Sequence, residues 1–105
     1  MKATVEPRVK VIFRKWRGSE YHGDIIALFP ELPGSVVGLG CLSYERVGQH
    51  GNASIGHVLA ATDAATPEEY ASLKAELERI GYDLDVRKRT SKAMHRNLMK
   101  AHGIA

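Results

Sequence analysis

A thiol and two imidazoles are the side chains of this sequence that are best suited to chemistry. Cys41 is the only cysteine, and His50 and His57 follow it at intervals of nine and seven residues. Zinc sites usually draw their four donors from close pairs of Cys or His, roughly two to five residues apart. This stretch contains no such pair, and His22 is a distant fourth donor. We therefore expect no metal site and no cofactor.

Catalysis by Cys41 with His50 as its base is a second chemistry to consider. A reactive thiol needs a lowered pKa and a base that a third group holds within hydrogen-bond reach. Cys41 instead lies in an alternating stretch that predicts a strand, and no helix begins after it. The chain has no G-x-S-x-G, P-loop or G-x-G-x-x-G motif. The sequence favours a protein that is not an enzyme, with a Cys41/His50 enzyme or metal protein as the weakest alternative.

Positive charge is concentrated at the two ends of the chain. The net charge is +3, and twelve of the fifteen Lys and Arg residues lie in residues 1–17 and 86–105. The last twenty residues contain no acid, and three of their cations recur every four residues, on one stripe of a helix. Such a surface is typical of binding to nucleic acid or to an acidic protein. The predicted partner-binding residues are Lys15, Trp16, Arg87, Arg89, Lys92, Arg96 and Lys100.

Two further features predict contact with a partner. Trp16 lies among three cations, and it is the best single anchor because interface hot spots favour Trp and Arg. The GQHGN segment at residues 48–52 interrupts the alternation that follows Cys41 and predicts a glycine-bounded turn. We expect Gln49 and His50 at the tip of this turn, where they form a contact loop.

Alternating apolar residues predict the strands that must position these side chains. Strands are expected near residues 8–16, 24–30, 39–47 and 82–86. The first two form a hairpin, and Pro30 is expected to end the second because proline cannot donate to a ladder. The first strand is expected to have one buried face and one exposed, basic face, the latter made of Lys10, Ile12, Arg14 and Trp16.

Helix signals complete the predicted fold. A short helix is expected near residues 53–61, and Thr66-Pro67-Glu68-Glu69 is a capping box that begins a helix ending at Gly81. Thr90 or Ser91 can cap a last helix. The predicted core stripes of the two longer helices are Tyr70, Leu73, Leu77 and Ile80, and Met94, Leu98 and Ala101. Residues 1–105 thus form one α+β domain of order β-β-β-(short α)-α-β-α, with a four-stranded, mostly antiparallel sheet and helices on one face.

The composition of the chain indicates in which cellular compartment the protein is expected. No apolar run approaches the roughly 20 residues of a membrane helix, and residues 1–10 contain no apolar segment of a signal peptide. A single cysteine fits a reducing compartment. We expect a cytoplasmic protein with no membrane partner, and a homodimer through an exposed sheet edge stays open.

Four segments together resemble a type of small protein found in bacteriophages and bacterial mobile elements. They are VIFRKW, GDIIALFPELPG, CLSYERVGQHG and TPEEYASLKAELERIGYDLDVRKR, and the resemblance covers most of residues 9–89. It implies no catalytic residues. By analogy, it implies an anti-CRISPR-like inhibitor that docks on a protein partner, such as a nucleic-acid-handling host-defence nuclease, and occludes it sterically and electrostatically.

Direct binding of DNA or RNA through the basic ends is the main alternative to a protein partner. The predicted last helix follows a strand, so it lacks the preceding helix of a helix-turn-helix motif. The order of elements also lacks the first helix of a double-stranded-RNA-binding domain. The two hypotheses predict different effects of salt on the binding affinity, which falls steeply with salt when phosphates are contacted directly.

Overall fold

Strand β1 (Val9–Trp16) is the central strand of the sheet in the computed structural model, which describes residues 8–18, 24–34, 39–45 and 49–104. Val11 and Phe13 face one side of the sheet and Ile12 faces the other, and all three are buried. The prediction of an exposed, basic face on this strand is therefore wrong at its middle, because helices cover both sides.

Five more strands flank β1. On one side lie β2 (Ile25–Pro33), β3 (Cys41–Glu45) and β4 (Gln49–Ala53), each antiparallel to its neighbour. On the other side, β5 (Thr62–Ala64) pairs antiparallel with the second half of β1, and β6 (Leu84–Arg87) pairs parallel with its first half. The predicted α+β class and mostly antiparallel pairing are confirmed. The predicted four strands are wrong, because β4 and β5 were not expected.

Three helices cover the two faces of the sheet. Helix α2 (Pro67–Arg79) packs on the face that contains Val11 and Phe13. Helices α1 (Ile55–Ala61) and α3 (Lys92–Ala101) pack on the opposite face. The prediction of helices on one face is therefore wrong. The physical reason is that β1 and β2 carry apolar side chains on both faces, which can be buried only between two layers.

The predicted helix ends agree with the structure in detail. Thr66 and Glu69 form the capping box of α2, and Gly81 follows it with φ +117°. Of the two candidate caps for α3, Ser91 is the one used, since its hydroxyl accepts from the N–H of Met94 at 3.1 Å. The core stripes are shorter than predicted, because Ile80 and Ala101, one at the end of each, are exposed.

Strand β2 continues past Pro30, where the sequence predicts its end. Pro30 is fully buried, and the register between β2 and β3 shifts between Phe29 and Pro33. This irregularity accommodates a residue without an N–H, since a bulged ladder does not require that donor. Within the described ranges, none of the helices has the length and apolarity that crossing a membrane requires.

Candidate functional site

Two arginines of the N-terminal segment cap helix α1. Arg14 donates from Nη2 to the carbonyl oxygens of Thr62 at 2.8 Å and of Leu59 at 3.3 Å. Arg17 donates from Nη2 to the carbonyl oxygen of Ala60 at 2.7 Å and lies 3.3 Å from Asp63. Helix α1 has no basic residue in its last turn, so these guanidinium groups supply the positive charge that its carboxyl end favours.

The remaining cations near β1 are also engaged within the fold. Lys10 pairs with Glu31 at 3.1 Å, and Arg8 pairs with Asp83 at 3.2 Å. Lys15 pairs with the capping-box carboxylate of α2, and this contact raises the pKa of Lys15 and lowers that of Glu69. The cations of residues 8–17 therefore bind elements of the protein itself.

Trp16 and Arg87, which the sequence places in the partner surface, have intramolecular partners as well. The indole Nε1 of Trp16 donates to Glu45 at 3.0 Å, and its ring packs against the core beneath α1 and α3. Arg87 binds both carboxylate oxygens of Asp85, at 3.0 and 2.8 Å, which lowers the pKa of that acid. Neither residue presents a free side chain, although each retains some exposure.

Five cations at and before α3 differ from all of these. Lys88 borders a cavity with Phe13 and Tyr70 on the face of the sheet that α2 covers, and we name the other four the basic surface: Arg89, Lys92, Arg96 and Lys100. All five are exposed, and none forms an ion pair or side-chain hydrogen bond with another described residue. Of the predicted members, Arg89, Lys92, Arg96 and Lys100 thus remain unpaired, whereas Lys15, Trp16 and Arg87 have partners within the fold.

Helix α3 arranges this charge along one direction. Lys92, Arg96 and Lys100 recur every four residues, so they follow one stripe about 12 Å long. Met94 and Leu98 hold the opposite side of the helix against the sheet. Because residues 86–105 contain no acid, nothing within this segment neutralises the stripe. The stripe therefore presents three unpaired positive charges in a row.

Cys41 and His50 do not form a catalytic pair. Cys41 is fully buried on the face covered by α3, and burial raises the pKa of its thiol to about 11. His50 lies opposite Tyr44 across the β3–β4 pair and contacts that residue on the other face of the sheet. The sheet therefore separates the thiol from the imidazole. His22 lies outside the described residues, and those that are described contain no group of three or more potential metal ligands.

The predicted contact loop is a strand from Gln49 onward. His50 is an exposed residue of β4, and its Nε2 lies 2.8 Å from the hydroxyl oxygen of Tyr82. Tyr44 donates to Glu76, which raises the pKa of its phenol. The side chain of Gln49 lies outside the described part of the chain. The loop prediction is wrong because the backbone of this segment pairs with β3. The segment does not alternate between apolar and polar residues, so its sequence did not indicate a strand.

No family model matches the chain, and neither a curated protein nor a solved structure shows significant similarity to it.

Proposed function

We propose that this protein is a non-enzymatic binding module that holds nucleic acid through its basic surface. The observation that carries the proposal is the separation of the cations into two classes. Those near β1 are bound to carboxylates or to the end of α1, whereas those of the basic surface have no partner among the described residues. When unpaired cations bind phosphates, the counterions condensed on the nucleic acid are released, which gives strong binding to a polyanion.

The environment of Trp16 and the composition of α3 favour nucleic acid over a protein as the partner. Trp16 was the expected anchor for a protein partner, yet it packs against the core and donates to Glu45. Helix α3, which contains three cations of the basic surface, has no Trp, Tyr or Phe, the aromatic residues in which protein interfaces concentrate binding energy. A surface of cations without an aromatic anchor favours phosphates.

An acidic protein surface is the second candidate partner. Arg89 and Arg96 can each bind a carboxylate through two parallel hydrogen bonds, and both guanidinium groups are exposed. This candidate agrees with the resemblance to small bacteriophage and mobile-element proteins and with occlusion of a nucleic-acid-handling nuclease. A pulldown with and without nuclease treatment separates a protein partner from nucleic-acid bridging.

The direct test is a titration of fluorescent DNA and RNA oligonucleotides at several salt concentrations. Four phosphate contacts predict a slope of log K against log salt between about −2.8 and −3.6. The double variant Lys92→Gln/Arg96→Gln should lower the magnitude of that slope by about 1.5, because two contacts are lost.

The matched control is the double variant Lys74→Gln/Arg79→Gln on α2. It makes the same change in net charge on the opposite side of the sheet. We expect its slope to equal that of the unchanged protein. Equal effects of the two double variants would show that net charge alone, and not the basic surface, attracts the oligonucleotide. Absence of binding at low salt would refute the proposal.

A further inference from the structure

A groove runs along α3 beside the basic surface. It has a volume of about 670 Å³ and is lined by one stripe of the helix, which includes Lys92, Arg96 and Met99, together with Ile104. These helical positions follow the spacing of neighbours on one face. The groove therefore has cations and an apolar wall in the same space, a combination that suits a ligand with both a charged and a flat apolar part.

The apolar wall is built by the turn that ends α3. The N–H of Gly103 donates to the carbonyl of Lys100 at 2.9 Å, and the N–H of Ile104 donates to that of Met99 at 2.8 Å. These two bonds form a Schellman motif, and Gly103 supplies its left-handed residue with φ +86°. The motif turns the chain back so that Ile104 lies beside Met99. Ile104 remains 43% exposed, so its side chain presents apolar surface to a ligand in the groove.

An imidazole is also part of the lining of the groove. The exposed His95 lines both the groove and a second cavity of about 200 Å³ between the beginnings of α1 and α3. Histidine is one of the side chains on which unstacked bases stack in complexes with single strands. The row of cations is thus accompanied along its length by His95, Met99 and Ile104.

We propose that the groove along α3 binds the bases of single-stranded nucleic acid while the basic surface binds its phosphates. This inference rests on the proposed function and adds the form of the nucleic acid. Charge complementarity selects a polyanion. Duplexes keep their bases stacked and paired inside, so they can use the cations but not the apolar wall. A single strand can use both, because its bases are free to leave the stack.

The test compares three ligands that carry the same number of phosphates per strand. They are a mixed-sequence single strand of about ten nucleotides, the same strand in a duplex, and an abasic strand of equal length, measured at one salt concentration. We expect the single strand to bind at least about tenfold more tightly than the abasic strand and the duplex, since contacts to bases are lost in both. DNA and RNA versions of the single strand show whether the sugar matters.

Ile104→Ser is the informative variant, and Ile80→Ser is its matched control. Both remove an exposed isoleucine, 43% and 53% accessible, but only Ile104 lines the groove. Ile104→Ser should reduce the preference for the single strand severalfold and leave the salt slope unchanged, because the phosphate contacts remain. Ile80→Ser should change neither. Circular dichroism of each variant checks that the fold is retained.

The outcomes separate the two proposals. Equal affinity for the three ligands, with a salt slope that depends on Lys92 and Arg96, would overturn the groove and leave the basic surface as a phosphate receptor. A preference for single strands that survives both Ile104→Ser and Met99→Gln would overturn the assignment of the groove. No binding to any ligand at low salt would overturn both the groove and the proposed function.

Discussion

At the scale of single residues, the neighbours of each cation decide its role. Arg14 and Arg96 have the same side chain, yet Arg14 donates to the end of α1 and Arg96 extends into solvent. A guanidinium group that already makes several hydrogen bonds would have to break them before binding a phosphate. The free energy of that exchange is small or unfavourable, so only the unpaired cations are available to a partner.

The neighbours of Cys41 likewise determine how reactive its thiol is. Its pKa rises from 9.0 to about 11 through burial, so at pH 8 it carries about a hundredfold less thiolate than an ordinary thiol. We predict that dithionitrobenzoate at pH 8 modifies the native protein very slowly and the denatured protein rapidly. With one cysteine in the chain, the released chromophore reports this site alone.

A fast reaction of native Cys41, with an unchanged circular dichroism spectrum, would contradict its burial. An activity that Cys41→Ala abolishes without unfolding the protein would reopen the enzyme hypothesis.

The raised pKa of Cys41 also makes the stability of the protein depend on pH. Because the folded thiol keeps its proton to higher pH than the unfolded one, the free energy of unfolding should fall as the pH rises from about 9 to about 11.

Gly40 is a position where a side chain would collide with the neighbouring strand. A Cβ there would lie 2.5 Å from Oδ1 of Asn52 and 2.6 Å from the carbonyl oxygen of Ala53. We predict that Gly40→Ala lowers the free energy of unfolding by about 1–3 kcal/mol, since backbone must move. Gly56→Ala is the control, because a Cβ at this position of α1 meets nothing within 4 Å. Urea denaturation should show no loss of stability for Gly56→Ala, and equal losses would contradict the crowding at Gly40.

At the scale of elements, α3 depends on its two ends. Ser91 caps the beginning, and the Schellman motif of Gly103 closes the other end. Between them, Met94 and Leu98 dock the helix on β2 and leave the cations outward. The direction of the basic stripe is therefore determined by apolar packing and not by the charges, which would repel one another along the helix.

The two candidate caps of α3 give a test of this arrangement. Ser91→Ala should lower the free energy of unfolding by about 1 kcal/mol, since the N–H of Met94 loses its 3.1 Å acceptor. Thr90→Ala should leave it nearly unchanged, because Thr90 is exposed and caps nothing. Thermal or urea denaturation measures both. A larger loss for Thr90→Ala would mean that the helix begins one residue earlier than the structure shows.

At the scale of the whole molecule, the sheet has a protected centre and an exposed edge. Strand β1 has neighbours on both sides, whereas β4 has only β3 among the described residues. Its five residues contain no charge and no proline, the usual means of protecting an edge. This edge is where the homodimer predicted as an alternative would form.

Hydrogen exchange tests this view of the sheet. We predict that amides of residues 11–13 and 27–28 exchange about a hundredfold more slowly than those of Gly51 and Asn52. Buried central strands open only with the whole protein, but an edge strand frays locally. Protection of Gly51 and Asn52 that increases with protein concentration would instead indicate pairing between two copies through β4.

The elements with local signals could be predicted from the sequence. The capping box at Thr66, the stop at Gly81 and the alternation around Tyr44 depend on neighbours within a few residues, and the structure confirms them. Strands β4 and β5 could not be predicted in the same way. Strand β4 is made of polar and small residues and β5 has three residues, so neither shows the alternation by which a strand is recognised.

The sequence by itself determined the α+β class, most helix ends, and the acid-free, basic character of the last twenty residues. Only the tertiary structure decided which cations remain free. Lys15 meets Glu69 across 54 residues of chain and Arg14 meets Thr62 across 48, and no local pattern encodes such encounters. The physical reason is that charge belongs to each residue type, whereas its neutralisation depends on which distant groups the fold brings within a few ångströms.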